Sequence, residues 1–470
     1  MKNKFSLFAI SLMCLGALSS CGDGRGNLSI KEGDQIFEDR IIYEANATND
    51  VFYRLNSDKK ITEVACRREV ADLGKDIAYN DEILEIKGSF MSKLNAGERT
   101  IDVTFSDNSK TKIDCIVATK IIKTADDFQN INENLQGTYV LGNDIDLSSI
   151  ANFEPLGYMF DETSTRNDYF HGILDGNGYS VKNAKVYYSN NVRVDGGIND
   201  NNVDVYQGDG LFQHDAHKAG DNIGLFQVIG SQGIVRNVRF DNIKVRGRTI
   251  VGVLAGNNKG LIENCVITDT CTARMSTHFY DNDCNMGGVV GINSGEGQII
   301  KTICLTSQIS VPNVYTDYDN KYIGETGNGW DHENDDTCNW WRFANVNRPI
   351  SGSQEKEIDS NGHATNGVYA FAGKTWGVIK DCIALSFTKT VYEGEATIAD
   401  FAQTHRGELK PTSGDTDMGS LDNCKLFTLD EFKDASNYEG FDTTIWNFKN
   451  GSLPTLSCPS YKTSVYSTAK

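Results

Sequence analysis

Proline, basic residues and helical patterns are scarce in this chain. Each scarcity limits the fold class or the kind of partner that the sequence predicts. It has 6 prolines but 45 glycines in 470 residues, which fits many tight turns in a β-rich protein. Its 45 Lys and Arg face 64 Asp and Glu, giving a formal charge of −19. Because an acidic surface repels phosphate backbones, nucleic acid is not predicted as a partner. Thr124–Asn132 and Thr428–Lys433 are the clearest short helices, each with an N-cap threonine and acidic residues following.

Motifs of well-known catalytic chemistry are also absent. The sequence has no Gly-x-Ser-x-Gly, no His-Glu-x-x-His and no phosphate-binding loop. Carboxylates are plentiful, but none stands out from residues that cap turns. We therefore predict no catalytic residues and no cofactor, and the chain is interpreted as a non-enzyme more readily than as an enzyme.

The first residues have the pattern of a targeting segment. Lys2 and Lys4 precede an apolar stretch, Phe5–Leu18, that is too short to span a bilayer comfortably. The stretch ends in Leu-Ser-Ser-Cys21, which resembles the signal of bacterial lipoproteins. The resemblance implies a signal peptide over 1–20, a lipidated Cys21, a flexible tether over 21–30 and a place on the outer membrane, with the chain exposed at the cell surface. The alternative is an ordinary secretory peptide that ends in cysteine.

Strand patterns follow as far as residue 120. The segment Ile86–Phe105 resembles the late hairpin of bacterial immunoglobulin-like modules. This resemblance implies an Ig-like β-sandwich over 31–120, which would serve as a spacer from the membrane. In an oxidising compartment, Cys66 and Cys115 either form a disulfide across the sheets or remain two buried thiols.

One phrase recurs in the second half of the chain. Gly252–Ile267, Gly288–Leu305 and Val368–Leu385 each join a short apolar strand, a Gly/Asn turn and a second strand. A degenerate copy of the repeat, Gly224–Val238, precedes them, and a fragment of it, Leu421–Leu426, follows. Repetition of this kind predicts a solenoid of strands, with glycine and asparagine at corners that need left-handed backbone.

Four cysteines occur at similar places in these phrases: Cys265, Cys304, Cys382 and Cys424. We predict that they form one inward stack of buried thiols, since a free cysteine packs as a small apolar residue more often than it binds metal.

The opening and the ending of this half resemble the GLUG-motif proteins. The residues that carry the resemblance are Phe128–Leu147, Phe170–Asn183 and the terminal Tyr438–Leu456. GLUG-motif proteins are surface β-helices of gut bacterial lipoproteins and of IgA-peptidase-type repeat regions. The resemblance implies an all-β chain in which a right-handed parallel β-helix covers 121–425, followed over 426–470 by a helix and a terminal cap. The degenerate first copy of the repeat and the insertions depart from the regular spacing of this family.

Several segments of the sequence contain residue types that bind metal ions, but each is interpreted more simply as structural. Asp144, Asp146 and Asp175–Gly178 are interpreted as turn caps. The segment around His278 has metal-ligand residue types, but Cys271 and Cys284 more readily close it by a disulfide. No metal site is predicted.

Two insertions, 185–222 and 313–366, interrupt the repeats. The second holds a cluster of aromatic residues: Tyr315, Tyr318, Tyr322, Trp330, Trp340 and Trp341. Flat rings flanked by carboxylates suit the binding of a sugar, although the same rings could form a small satellite core.

We predict an adhesin-like or glycan- or protein-binding surface lipoprotein without catalysis, with a host or dietary glycan or a surface protein as partner. The alternatives are a carbohydrate-active β-helix enzyme, either a polysaccharide lyase or a glycoside hydrolase, and a passive structural surface protein.

Overall fold

The computed structural model describes residues 27–31, 34–80, 82–157, 169–187, 222–247, 250–275, 284–310, 366–390, 396–398, 400–402, 419–457 and 463–465. Strands dominate this part of the chain, and its helices are short: the α-helices Gly88–Met91 and Ala125–Gln129, and the 3₁₀ helices Asn130–Glu133, Glu431–Lys433 and Ala435–Asn437. The prediction of an all-β chain is confirmed.

The amino-terminal strands are β1 (Gln35–Phe37), β2 (Arg40–Glu44), β3 (Val51–Arg54), β4 (Ile61–Cys66), β5 (Glu69–Val70), β6 (Ile77–Asn80), β7 (Ile83–Ile86), β8 (Gly97–Phe105), β9 (Lys110–Ala118) and β10 (Lys120–Ile122).

The next strands are β11 (Thr138–Leu141), β12 (Ile145–Asp146), β13 (Ile173–Asp175), β14 (Ser180–Lys182), β15 (Lys185–Tyr187), β16 (Phe226–Ile229), β17 (Ile234–Arg236), β18 (Arg239–Asp241), β19 (Lys244–Gly247), β20 (Ile250–Gly252), β21 (Ala255–Asn258), β22 (Leu261–Glu263), β23 (Val266–Ile267), β24 (Thr272–Met275) and β25 (Cys284–Gly287).

The last strands are β26 (Val290–Asn293), β27 (Gln298–Ile300), β28 (Ile303–Cys304), β29 (Ile309–Ser310), β30 (Asn366–Tyr369), β31 (Ala372–Thr375), β32 (Val378–Lys380), β33 (Ile383–Leu385), β34 (Thr388–Thr390), β35 (Ala396–Ile398), β36 (Ser420–Asp422), β37 (Lys425–Phe427), β38 (Trp446–Asn447), β39 (Thr455–Leu456) and β40 (Thr463–Val465).

Strands β1 to β9 form two sheets with one shared core, whereas β10 belongs to a later sheet. Sheet 1 has the order β40-β1-β3-β7-β6, and sheet 2 has the order β2-β9-β8-β4-β5. Inward residues of both sheets, such as Leu84 of β7 and Val103 of β8, are fully buried in the same apolar cluster. Strand β40 reaches sheet 1 from the far end of the chain and pairs antiparallel with β1.

The predicted disulfide between Cys66 and Cys115 is wrong, because both cysteines are buried free thiols. Cys66 ends β4 and Cys115 lies on β9, and β8 runs between these strands in sheet 2. Strands two places apart in a sheet are separated by about 9.5 Å, beyond the reach of a disulfide. The alternative of two buried thiols is what the structure shows.

Most later strands pair parallel in five sheets. Sheet 3 has the order β10-β11-β13-β17-β22-β27-β32-β36, and sheet 4 the order β12-β14-β18-β23-β28-β33-β37. Sheet 5 is β15-β19-β24-β29, sheet 6 is β20-β25-β30 and sheet 7 is β16-β21-β26-β31. From β16 the chain visits sheets 7, 3, 4, 5 and 6 in turn and then returns to sheet 7 at β21. One such round is called a pass.

Successive passes stack their apolar side chains in columns. In sheet 3, Val235 pairs with Ile262 and Ile262 with Ile299, and all three side chains are fully buried. Burial of each contributes about 1.5–3 kcal/mol. Leu421 has the same position in β36, the last strand of sheet 3 in the described ranges, and is 37% exposed.

The corner between sheets 3 and 4 is made by left-handed residues, and the prediction is confirmed for asparagine. It is wrong for the glycines of the repeated phrase, none of which has a positive φ in the described ranges. Five residues that directly follow a strand of sheet 3 have φ between 47° and 55°: Asn237, Asn264, Lys301, Asp381 and Asn423. Asparagine tolerates this conformation better than other side chains. Lys301 and Asp381 show that the position in the pass, and not the residue type alone, sets the turn.

The predicted cysteine stack is correct except for one member. The register of sheets 3 and 4 aligns Cys265 with Thr302, Thr302 with Cys382, and Cys382 with Cys424. Cys304 lies two residues further on, beside Ile267. The four cysteines are free thiols, fully buried except for the partly buried Cys424.

Glycines in the repeated phrase allow sheets 6 and 7 to pack closely. A Cβ atom on Gly291 would lie 2.6 Å from Cγ2 of Ile250 and 2.8 Å from the nitrogen of Val251. Neither neighbour can withdraw easily, because both belong to β20, in which Val251 is fully buried. Gly295, four residues on, has no atom within 4 Å of such a Cβ.

We expect Gly291→Ala to destabilise the protein by about 1–3 kcal/mol, the usual cost of overpacking a filled interior. Gly295→Ala is the matched control and should change the free energy of unfolding by about 0.5 kcal/mol or less. Chemical denaturation of both variants measures the difference. Equal stabilities would contradict the close packing of sheets 6 and 7.

Of the two helices predicted from the sequence, the first is an α-helix and the second is only a 3₁₀ helix. Thr124 caps the α-helix Ala125–Gln129 through a reciprocal capping box with Asp127, as predicted. Thr428 makes the same reciprocal bonds with Glu431, but only a 3₁₀ helix, Glu431–Lys433, follows.

The carboxyl-terminal segment, residues 428–457, packs on the outer face of sheet 4. Phe432, Tyr438 and Trp446 are buried there against Val266 and Ile303. The Trp446 ring is 1% exposed, and its Nε1 donates to Oδ1 of Asn264 at 3.2 Å. This segment therefore covers apolar side chains that sheet 4 would otherwise expose.

Candidate functional site

The aromatic residues predicted to bind a ligand lie outside the described residues. They are Tyr315, Tyr318, Tyr322, Trp330, Trp340 and Trp341. The lipidation residue, Cys21, also lies outside them. What the structure does describe is where the chain leaves and rejoins the parallel sheets around these segments.

Three of the segments that separate the described strands follow strands of one sheet, whereas 158–168 and 403–418 follow other parts of the chain. Residues 188–221 follow β15, residues 276–283 follow β24 and residues 311–365 follow β29, and all three strands belong to sheet 5. The next described strand belongs to sheet 7 after the first segment and to sheet 6 after the other two. These departure points define the sheet 5 corner.

The strand register of sheet 5 places these departure points in one short row. Tyr187 pairs with Arg246, Arg246 with Arg274, and Arg274 with Ser310. Neighbouring parallel strands lie about 4.8 Å apart, so the departure points of 188–221 and 311–365 are about 14 Å apart. The two insertions noted in the sequence therefore start from one side of the parallel sheets.

A second feature is the cleft where sheet 2 meets sheet 3. Arg40 pairs with Asp114 and Asp114 with Thr100, so these three side chains share the face of sheet 2 that is turned away from its own core. Arg236 and Glu263 face them from neighbouring strands of sheet 3. The space between, called the junction cleft, has a volume of about 1050 Å³.

The inner end of the junction cleft is closed by apolar contact. Ile116 and Ala118 of β9 pack against Val140 of β11, and all three are buried. Val140 pairs with Asp175, and Asp175 with Arg236, along the outer face of sheet 3. The face of sheet 3 thus passes from an apolar contact through a buried carboxylate to the open cleft.

The buried carboxylate is Asp175, which is fully inaccessible. Its Oδ2 accepts hydrogen bonds from Nη1 of Arg40 at 2.9 Å and from Nε of Arg236 at 2.8 Å. Its Oδ1 accepts from the backbone nitrogen of Asn177 at 2.9 Å. Arg236 also pairs with Glu98 of β8. Two residues of sheet 2 and two of sheet 3 are therefore joined in one charged network across the junction.

The network fixes the charge of its members. Burial of the Asp175 carboxyl raises its pKa, but the guanidiniums of Arg40 and Arg236 outweigh burial and hold the pKa below its ordinary value. Burial lowers the pKa of Arg236, whereas Asp175 and Glu98 raise it above its ordinary value. Asp175 is thus a structural anion, and it does not supply a proton at neutral pH.

The interpretation of the Asp-rich turns as caps is confirmed for Asp146 and Asp175, whereas Asp144 bonds to the neighbouring strand β14. Asp144 accepts from the nitrogen of Ser180 at 2.9 Å, and Asp146 from that of Ser148 at 3.0 Å. Asp175 caps its own turn through Asn177, but its ion pairs were not predicted. In the described ranges, no group of three or more His, Cys, Asp or Glu side chains could hold a metal ion.

The predicted disulfide between Cys271 and Cys284 is wrong, because Cys271 is a buried free thiol. Its sulfur lies 3.4 Å from the carbonyl oxygen of Phe240 and 3.4 Å from the nitrogen of Ile243. The side chain therefore occupies the interior of the parallel sheets.

Comparison with known proteins gives short matches. No model of a protein family matches the chain. The chain is 26% identical over 183 residues to halomucin of Haloquadratum walsbyi, and 32% identical over 149 residues to a protein of Evansella cellulosilytica named as a Gly-rich membrane protein. The matches cover 37% and 31% of this chain but only 2% and 14% of those relatives. Within the described part of the chain, no helix has the length and apolar character to cross a bilayer.

Proposed function

We propose that this chain is a lipid-anchored cell-surface protein that binds a glycan or a protein, without catalysis, through the insertions at the sheet 5 corner. The observation that carries this proposal is the in-register row of departure points at that corner. Segments that start from one side of a rigid scaffold can act together, and binding residues are found disproportionately on such loops.

The proposed architecture is an Ig-like sandwich over 31–120 followed by a right-handed parallel β-helix over 121–425, with a cap over 426–470. The shared core of sheets 1 and 2 supports the first part. The repeated visiting order of sheets 7, 3, 4, 5 and 6 and the continuous buried columns support the second. The covering of sheet 4 by residues 428–457 supports the third.

The ligand class follows from the second insertion. Trp330, Trp340 and Trp341 occur in residues 311–365 together with three tyrosines and several carboxylates. Rings that stack on the apolar face of a sugar, beside polar groups for its hydroxyls, form a glycan-binding surface. One relative being named as a membrane protein fits a membrane-associated role for this chain.

The ionisation of the described carboxyls supports binding over hydrolysis. A glycoside hydrolase needs a general acid whose pKa is raised, so that it stays protonated. Every described carboxyl with a displaced pKa is displaced downward, and Asp175 and Asp241 are examples. Hydrogen bonds and nearby cations hold these groups as anions.

Glycan-array binding of the Trp340→Ala, Trp341→Ala double variant tests the ligand-binding proposal. We expect binding to fall by about tenfold or more, because two aromatic contacts are lost. Trp376→Ala is the matched control: Trp376 lies after β31, where the ammonium of Lys374 is 4.4 Å from the ring centroid. Equal binding by wild type and double variant would reject the insertion as the binding site.

Membrane fractionation of Cys21→Ser tests the anchor. The variant is expected to leave the membrane fraction, because the acylated side chain is removed. A variant that remains in the membrane fraction after a high-salt wash would refute lipidation at Cys21.

A further inference from the structure

We propose that the junction cleft binds a carboxylated saccharide and that Arg67 and Arg99 receive its carboxylate. The cleft lies between sheets 2 and 3, apart from the sheet 5 corner. The inference therefore goes beyond the proposed function and stands even if the insertions bind nothing.

The position and size of the junction cleft suit a ligand. Small-molecule sites occur preferentially where two structural units meet, and they commonly measure about 300–1,000 Å³. The junction cleft has about 1050 Å³ and lies between two sheets held together by the Asp175 network. It is also bordered by Ile445 and Ser457 of the carboxyl-terminal segment, so three parts of the chain enclose it.

Arg67 lines the cleft from a turn that does not favour arginine. Cys66 pairs with Glu69, so Arg67 and Arg68 form a two-residue hairpin turn between β4 and β5. Arg67 has φ of 56°, in the left-handed region that glycine or asparagine adopts at least cost in such turns. A strained residue at the rim of a cavity is a reason to look for a function of its side chain.

Arg99 lies beside Arg67. The register of β4 with β8 ends at Ala65 and Asp102, two residues before Arg67, and both arginines line the junction cleft. The guanidinium of Arg99 donates to the carbonyl oxygens of Glu98 and Ala96. No carboxylate of the described ranges lies within 4.0 Å of either guanidinium. Burial and then the charge of Arg67 lower the pKa of Arg99, so the two cations repel each other.

The other groups of the junction cleft define the ligand class. Asp102, Asp114 and Glu263 line the cleft together with Thr100 and Asn264. Carboxylate and amide oxygens accept hydrogen bonds from hydroxyl groups, while the same carboxylates repel an anion of high charge such as sulfate. An arginine pair beside several acceptors therefore matches a ligand with one carboxylate and several hydroxyls.

The test uses the full chain and the probe sodium D-glucuronate, measured by titration calorimetry against D-glucose and sodium sulfate. We expect glucuronate to bind at least about tenfold more tightly than either comparison compound. Arg67→Asn should weaken glucuronate binding at least about tenfold and leave the melting temperature equal or higher, since asparagine suits the left-handed turn. Arg68→Asn, in the same turn but outside the cleft, should bind as wild type does.

Three results would overturn the proposal. They are glucuronate binding no tighter than glucose, sulfate binding as tightly as glucuronate, and equal affinities of Arg67→Asn and Arg68→Asn for glucuronate. Arg99→Gln serves as a second variant and should also weaken binding at least about tenfold. Glucuronate binding that is lost on changing Trp340 and Trp341 but not Arg67 would place the carboxylate site in the insertions and reject this cleft.

Discussion

Replacing Asp175 with asparagine is expected to destabilise the protein by about 3–5 kcal/mol. The substitution preserves shape but removes the charge that both Arg40 and Arg236 contact at less than 3 Å. The side chain of Arg40 is 8% exposed and that of Arg236 16%, so water replaces the lost anion poorly. Removing one member of a buried ion pair leaves an uncompensated charge, which costs more than the intact pair contributes.

Urea denaturation of Asp175→Asn measures this effect, and Asp146→Asn is its control. Asp146 also caps a turn, accepting from Asn183 and Ser148, but it is exposed. Asparagine can keep such a cap, so we expect a change of about 0.5 kcal/mol or less for the control. A loss of less than 1 kcal/mol for Asp175→Asn would show that the junction does not depend on its charge.

The difference in stability between the wild-type protein and Asp175→Asn is expected to depend on pH. The pKa of Asp175 lies below its ordinary value of 3.8, so its ionised form is favoured by folding. The stability that it contributes is fully present above its unfolded pKa and is lost as the pH falls through its folded pKa. The difference in stability between wild type and Asp175→Asn should therefore be constant from pH 7 to about 5 and shrink below about pH 4.

Replacing Trp446 with alanine is expected to cost about 3–5 kcal/mol. Its ring packs edge-on against Phe441, with centroids 5.3 Å apart, and stacks with Phe448 at 5.7 Å. Its Nε1 bonds to Asn264, which turns the corner between sheets 3 and 4. Alanine would leave a cavity and an unpaired amide oxygen beneath the carboxyl-terminal segment.

Thermal unfolding of a short series checks the role of Trp446. Trp446→Phe keeps most of the ring packing and loses the hydrogen bond, so it should cost less than Trp446→Ala. Trp376→Ala, at a partly buried ring, should cost least. If all three variants melt at the same temperature, the carboxyl-terminal segment contributes no measurable stability to sheet 4.

The repeated phrase predicted much of the parallel sheets, because short-range patterns carry that information. The alternation of apolar residues places Val235 and Ile262 inside, and the corner asparagines have the expected left-handed backbone. Aligning the cysteines by their place in the repeated phrase was less successful. Cys304 is out of line because register, and not spacing along the chain, decides which residues of neighbouring passes stack.

The junction could not be predicted from the sequence, because its partners are remote. Arg40 contacts Asp175 across 135 residues, and Arg236 contacts Glu98 across 138. The sequence alone shows Asp175 only as the cap of a Gly-rich turn. Its ion pairs with Arg40 and Arg236 leave no local sequence pattern. The proposed pairing of Cys66 with Cys115 failed for a related reason: the alternating pattern predicts strands, but it does not give their order in a sheet.

The most direct test of the central claim, a binding scaffold without catalysis, is to incubate the wild-type protein with the polysaccharides it retains and to assay the same samples for products. We predict retention of ligand with no new reducing ends and no unsaturated product, however long the incubation. Turnover that a single aspartate substitution abolishes would contradict the account and identify the chain as an enzyme.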